Sequence, residues 1–412
     1  MRNVGELPES ADVVVVGGGV IGLAVARELA RGGAEVLLVE RGEAGAESSW
    51  AAAGMLAPQV EADAADEFFR LAAASRDAYP DFARELEEES GISVELDQTG
   101  TLYLAFDEAD EAECARRFRW QTRAGLPVER LTADEVRALE PRVSAHVRSA
   151  LRFPLDGQVE NRLLVAALVK ACARRGVRVV TRTEVGAIKV EAGRATGVET
   201  ARGTTRAASV VVACGAWSSR LRLDVSSAHG DGSSNRGDSS CNGDDVDVPA
   251  RPRIEPVRGQ MLCFAPAASS PQSPFVRHVV YSPRGYLVPR RDGRLLAGTT
   301  TEHAGFDKSV TGEGRARVLT HAREIAPDVD ALVLSDAWAG LRPRGAHAWP
   351  VLGALSDVPN LFYATGHYRN GILLAPLTGT LVAAMILQRG ATSPLLAAFT
   401  PERFRRASSC AV

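Results

Sequence analysis

The chain has 412 residues, 45% hydrophobic and 24% charged, with a formal net charge of −3. That is apolar material for two or three domains' worth of core, and the charge gives no electrostatic case for nucleic acid or an anionic membrane surface. Its six cysteines, Cys114, Cys172, Cys214, Cys241, Cys263 and Cys410, have no C-x-x-C spacing, so they suggest neither a metal site nor a redox dithiol and fit a reduced, cytoplasmic setting.

The chain opens on Glu6 and Glu9 and an apolar run too short for a signal peptide, which reads instead as the first strand. That run, Val13 to Val16, has the four consecutive valines of a buried parallel strand. Gly17, Gly19 and Gly22 follow it. In a dinucleotide-binding turn these allow the tight bend, close backbone approach to a pyrophosphate, and close helix packing on the strand. The helix beginning there offers free N–H groups and the positive end of its dipole to phosphate. Gly32 and Gly33 stop it, and the next strand ends at Glu40, where a carboxylate can hold a ribose diol. This segment alone fits either NAD or FAD.

Residues 61–90 carry apolar side chains at helical spacing (Phe68, Phe69, Leu71, Ala72). After Gly91 the pattern becomes strand-like at Val94–Leu96 and Thr101–Phe106. Helices are expected over 107–125 and from Thr132 to Glu140-Pro141. The stretch Asn161–Arg175 reads as a helix closed by Gly176. Val177–Val180 and Ser209–Gly215 then return to buried strands. Residues 224–248 are almost entirely Ser, Gly, Asp and Asn, with His229, Arg236 and Cys241 among them, and are expected to be a disordered surface loop. Strands are expected over Arg253–Phe264 and His278–Thr301, with hairpin turns at Pro283–Gly285 and Arg291–Gly293. From Trp338 onward the pattern returns to glycine turns and apolar strands. The tract Ile372–Leu387, interrupted by Pro376 and Gly379, is too short to span a bilayer and reads as a buried core helix. Arg258, Arg284, Arg290 and Arg291 read as local features.

The pattern predicts an α/β (α+β) protein: a Rossmann-like nucleotide domain built from 11–90, 151–223 and 337–395, and a second, mixed-sheet substrate domain from 91–150 and 249–336.

Six segments carry a family resemblance: Ser48–Met55, Leu155–Val159, Val211–Ser218, Pro256–Gln260, Gly340–Pro343 and Gly366–Pro376. Through them nearly the whole chain resembles the D-amino-acid oxidase superfamily. The first and last are similar to those of the bacterial glycine oxidases of thiamine biosynthesis. The resemblance implies non-covalent FAD and no metal. It further implies oxidative deamination of glycine, and of sarcosine or small D-amino acids, to glyoxylate or another 2-oxo acid, ammonia and hydrogen peroxide, in support of the thiazole branch of thiamine. Molecular oxygen would be the acceptor and a homo-oligomer is open. The same fold also serves D-amino-acid and sarcosine oxidases or dehydrogenases, and a non-catalytic flavin-binding protein is a remote alternative.

Carried over by matching motif, Gly17, Gly19, Val20, Ile21, Gly22, Glu40 and Arg41 belong to the adenosine and pyrophosphate end. Ser48, Ser49, Ala53, Gly54 and Met55 would line pyrophosphate and flavin, where hydroxyls bond phosphate and small side chains admit the ring. Val185 matches a position whose backbone pairs with adenine, and Gly215, which ends a buried strand, belongs to the cofactor-binding set. His367, Tyr368, Arg369, Asn370, Gly371, Ile372 and Leu373 match the loop and helix start beneath the flavin pyrimidine, whose N–H dipoles stabilise negative charge on reduction.

For substrate, the resemblance points to Arg342, whose guanidinium fork matches a carboxylate bidentately. Tyr286 matches a tyrosine bordering the substrate, though on its own it reads equally as a hairpin tyrosine. Arg369 is as much structural as catalytic in this reading, and Met55 and Thr301 complete the set. Two departures stand out: Gly345-Ala-His347 where the family has Thr-Pro-Asp, and Thr301 where an apolar residue is common. His347 and His367 lack a partner motif, so neither is assigned as a general base.

Overall fold

The computed structural model describes residues 6–226, 251–266, 274–388 and 393–403. The strand Ser10–Val16 lies between two parallel neighbours, Val36–Val39 and Gly203–Val212. Its valines alternate between two cores. Val13 and Val15 join one apolar cluster and Val14 and Val16 another, because successive side chains of a strand point to opposite faces. Burial on both faces explains why the run is apolar throughout. Arg178–Val180 extends the parallel row beyond Val36–Val39, and Val358–Thr365 pairs parallel with Gly203–Val212. The far side turns antiparallel through Arg194–Thr200 and Val185–Glu191. Among the described residues this sheet has nine strands.

The helices Val20–Arg31, Glu67–Asp77, Tyr79–Ser90, Asn161–Arg174 and Gly371–Leu387 all contribute to the cluster that holds Val13 and Val15. The last of these crosses the first closely, since a Cβ at Gly379 would stand 2.9 Å from the carbonyl oxygen of Ala24. The tract Ile372–Leu387 is thus a buried core helix, and among the described residues no helix is long and apolar enough to cross a membrane.

The second sheet has eight strands among the described residues, in the order Val333–Gly345, Ile254–Ala265, Leu295–Gly298, Tyr286–Pro289, Val279–Tyr281, Thr101–Ala105, Ser149–Phe153 and Glu129–Thr132. Val279–Tyr281 runs parallel to Thr101–Ala105 and the remaining neighbours are antiparallel, so the sheet is mixed. Thr132 caps the helix Ala133–Leu139 in a reciprocal capping box with Glu135.

Three sequence expectations need correction. Val94–Leu96 forms no ladder: Glu95 sits at φ 54°, outside the extended region, and only Asp97 makes an isolated bridge, to Gln158. The boundaries at 151 and 337 both fall inside strands of the second sheet. Val333–Gly345 is paired with Ile254–Ala265 along its whole length, so the chain rejoins the nine-stranded sheet only at Val351–Leu355. Lastly, Asp224–Ser226 belong to the strand Arg222–Ser226, where the ladder to Val185–Glu191 and the Lys189–Asp224 ion pair accommodate a polar edge. The rest of the expected loop, from 227 to 248, lies outside the described residues, as do Cys241 and Cys410. Cys114, Cys172, Cys214 and Cys263 are free thiols, and no metal-binding cluster occurs among the described residues.

Candidate functional site

A cavity of about 370 Å³ runs between the two sheets, from Glu40 and Val185 at one end to Tyr286, Arg342 and Arg369 at the other. Its first wall is the glycine turn. Gly17 sits at φ +109° and a Cβ there would stand 2.5 Å from the carbonyl oxygen of Ala213. One on Gly22 would fall 1.9 Å from the carbonyl oxygen of Gly17. Gly22 therefore packs beneath the turn, and Gly17, Gly19, Val20 and Ile21 line the cavity. Glu40 accepts hydrogen bonds from the N–H of Gly18 at 2.7 Å and of Gly42 at 2.8 Å, which fixes its carboxylate at the cavity edge. Arg41 lies over the Trp217 ring at 3.6 Å and pairs with Glu47, while Gly215 opens the turn that carries Trp217.

The next wall is Ser48–Met55. The Val20 N–H donates to Ser49 Oγ at 2.9 Å, and Ser48 donates to the carbonyl of Leu341 on the second sheet. Arg290, fully enclosed, donates to the carbonyl of Ala53 at 2.9 Å, to that of Val159 at 3.0 Å, and to Asn161 and Gln158. Asn161 in turn donates to the carbonyls of Ser49 and Trp50, and Trp338 Nε1 to that of Ala51. A buried guanidinium thus satisfies carbonyls that the bent loop leaves without ladder partners. Sequence reasoning gave Arg290 no role.

The third wall is the start of the helix Gly371–Leu387. The Tyr368 N–H donates to the carbonyl of Pro343 at 2.9 Å, which docks this loop on the Arg342 strand. His367, Tyr368, Arg369, Asn370, Gly371 and Ile372 line the cavity. Leu373 does not: its side chain lies in the core cluster, because it faces inward on the helix. His367 is buried against Thr378 at 3.1 Å, and burial holds its pKa down at about 3, so it stays neutral. His347 is exposed and away from the cavity.

At the far end Arg342 Nη2 donates to Thr299 Oγ1 at 2.7 Å and Nη1 to the Thr300 carbonyl at 3.1 Å. Burial lowers its pKa, yet a guanidinium keeps its charge. Tyr286 donates to Met261 Sδ at 3.3 Å and stacks at 6.0 Å on Tyr281, and burial pushes its hydroxyl pKa up. Met55 lines the same end. Thr301 does not: it is exposed, outside the cavity lining, and meets the site only by accepting from Arg369 Nη2 at 2.9 Å.

One cavity residue escaped the sequence reading. Glu61 ends the short helix Pro58–Glu61 and faces Arg369, Arg342 and Asn370; burial pushes its carboxyl up more than those neighbours draw it down. The available signal was an acid closing a proline-opened turn just after Gly54-Met55. The helix is held from below by Asp156, which accepts from the N–H of Gln59 at 3.2 Å and of Val60 at 3.0 Å.

Comparisons with known proteins find matches over most of the chain. A family model described as FAD dependent oxidoreductase (DAO) matches residues 12–385. The glycine oxidase of Geobacillus kaustophilus is 35% identical over 395 residues, 95% of this chain and 97% of that protein. A bifunctional ThiO/ThiG protein of Synechocystis sp. is 34% identical, covering 96% of this chain and 54% of that protein. A crystal structure of glycine oxidase from Geobacillus kaustophilus superposes with a TM-score of 0.84 at 34% identity, covering 96% of this chain and 99% of that one.

Proposed function

We propose, from the premise that this chain belongs to the FAD-dependent oxidoreductase family and is an FAD-dependent amino acid oxidase, that it oxidatively deaminates glycine, with sarcosine and small D-amino acids as further substrates. The products are glyoxylate or another 2-oxo acid, ammonia and hydrogen peroxide. Likeness to the glycine oxidases and the ThiO/ThiG protein supports a place in thiamine biosynthesis. The reading involves a free small substrate and oxygen in the cytoplasm, with no nucleic-acid or membrane partner.

The residues fit FAD. A Cβ would fill the cradle at Gly17, the helix start at Val20 abuts the cavity, and the cavity runs on past Ser49 and Ala53 to Arg342. Glu40 would hold the ribose, Ser49 and the first N–H groups of Val20–Arg31 the pyrophosphate, and Gly371 and Ile372 N–H groups the pyrimidine edge. FAD, when bound there, would supply the two-electron acceptor for the substrate Cα–H bond and the link to oxygen.

The chain's own part is orientation and charge. Arg342 grips the carboxylate, with Thr299 and Thr300 fixing the plane of its fork. Tyr286 borders the same carboxylate. The observation that carries the reading is this guanidinium lining the same cavity as Met55 and Tyr286.

The test is anaerobic mixing with glycine, sarcosine and D-alanine, following flavin absorbance, and then admission of air. Bleaching by glycine with rapid recovery and peroxide supports the proposal. Bleaching without recovery makes the enzyme a dehydrogenase, and no bleaching by any of the three sinks the amino acid assignment.

A further inference from the structure

An amino acid enters such a site as a zwitterion, yet only a free amine can supply the lone pair that drives loss of hydride from Cα. Something must take one proton from the ammonium, and the residues usually considered are disqualified here. His367 is neutral but faces Thr378 in the core. Tyr286 points its hydroxyl at Met261. Among the described acids lining the cavity, Glu40 is tied to two backbone N–H groups, Glu47 to Arg41 and Lys308, and Glu43 to Arg182, while Glu184 adjoins Val185 at the opposite end. Glu61 is the acid that faces Arg342, Tyr286 and Tyr281, the end where the carboxylate is held.

We propose that Glu61 accepts the proton released by the substrate ammonium, leaving the free amine from which the α-hydrogen departs. This rests on the amino acid oxidase reading of the same cavity. In the step one N–H bond breaks, its electron pair stays on nitrogen, and an O–H bond forms on the Glu61 carboxylate. Nothing is oxidised until the hydride leaves Cα. The proton returns to solvent before the next turnover.

The surroundings suit the task. Arg342 and Arg369 face Glu61 from the second sheet and the loop before the last helix. Asn370 offers it a hydrogen bond, and Arg117 adds positive charge from the helix Glu108–Arg123. Tyr281 and Tyr286 face it from the second sheet, and Asp156 lies behind its helix. The same two guanidiniums that keep Glu61 ionisable also acidify an ammonium placed between them, so donor and acceptor are brought toward each other in proton affinity. Burial raises the carboxyl above its ordinary range, which makes it a better base than an exposed glutamate. The position is stiff because Asp156 anchors the two N–H groups immediately before Glu61.

The experiment compares the FAD-loaded wild type with Glu61→Gln and Glu61→Asp, measuring kcat/KM for glycine across pH and the binding of acetate from the flavin absorbance change. Acetate carries the carboxylate and no amine. Wild type is expected to lose kcat/KM below the pKa of Glu61. In Glu61→Gln that acid limb disappears, kcat/KM falls about 100-fold at neutral pH, and the deficit shrinks as rising pH supplies free amine. Glu61→Asp keeps an acid limb, and both variants bind acetate as wild type does. A Glu61→Gln profile parallel to wild type overturns the proposal, and so does loss of acetate binding in step with turnover, which would make Glu61 a shaper of the cavity. If wild-type flavin is not reduced by glycine, sarcosine or D-alanine, the amino acid oxidase reading itself fails and this step falls with it; reduction of the wild type with a parallel profile sinks this step alone.

Discussion

Gly259 lies flat against the guanidinium of Arg342: a Cβ at Gly259 would stand 2.2 Å from Nη1 and 2.4 Å from Cζ. In the paired strands Ile254–Ala265 and Val333–Gly345, Gly259 stands opposite Gly340 and Arg342 opposite Val257, so the guanidinium reaches diagonally across the ladder and the backbone at Gly259 is its rear wall. Gly259→Ala is therefore expected to displace the fork without touching the nucleotide turn. The KM for glycine should rise about tenfold to a hundredfold, the cost of an ångström-scale misplacement, with FAD content unchanged. Steady-state kinetics and the flavin spectrum check both halves.

Arg342→Ala removes the fork altogether. The kcat/KM for glycine should fall by about two to three orders of magnitude, the usual penalty for truncating one partner of a close charge pair, while FAD stays bound. Arg342→Lys should recover little, because a point charge replaces a planar donor pair. Unchanged glycine kinetics in the alanine variant would remove Arg342 from the site.

Arg290→Met should harm the cofactor more than the substrate. It strips the carbonyls of Ala53 and Val159 of their donor and leaves Glu160 with Arg294 as its remaining cation. Breaking a buried pair of this kind costs about 3–5 kcal/mol. The expected result is a lower melting temperature and loss of FAD on gel filtration, read from the absorbance ratio of flavin to protein.

Asp156 makes stability depend on pH. Burial raises its pKa to about 7, against the pull of the Gln59 and Val60 N–H groups and of Arg76. In the unfolded chain the carboxyl ionises in the ordinary acid range. As pH climbs from there toward 7, the unfolded state alone releases the proton and gains on the folded one by about 1.4 kcal/mol per unit. The contribution is full at acid pH and gone above about 7. Asp156→Asn abolishes that slope, so its melting temperature relative to wild type should rise between pH 4 and pH 7. A constant offset across the range would refute the assignment.

Legibility followed the distance over which contacts form. The valine run, the glycine turn, the strand end at Glu40 and the helix start at Thr132 are local, and each was readable because its partners lie within a few tens of residues. Arg342 was readable through its Gly-Leu-Arg-Pro context. Arg290 was not, since its carbonyl partner Ala53 lies 237 residues away and no spacing announces such a bond. Asp156 and Gln59, 97 residues apart, and Glu61 with Arg369 escaped for the same reason. The strand Val333–Gly345 was divided at 337 because its apolar return resembles that of the first sheet, and only its partner Ile254–Ala265 reveals the allegiance.

That strand has a consequence for how the molecule can move. Ser48 bonds the carbonyl of Leu341, Trp338 bonds that of Ala51, Gly340 admits the Ala51 side chain, and Tyr368 docks on Pro343, all within the six residues that end with Arg342 and its proline. The two layers are riveted along this line, so a hinge that swung one away from the other would tear out the floor of the cavity along with Arg342. The exposed Arg369–Thr301 hydrogen bond lies outside that line of contacts, so it can break without parting the two layers.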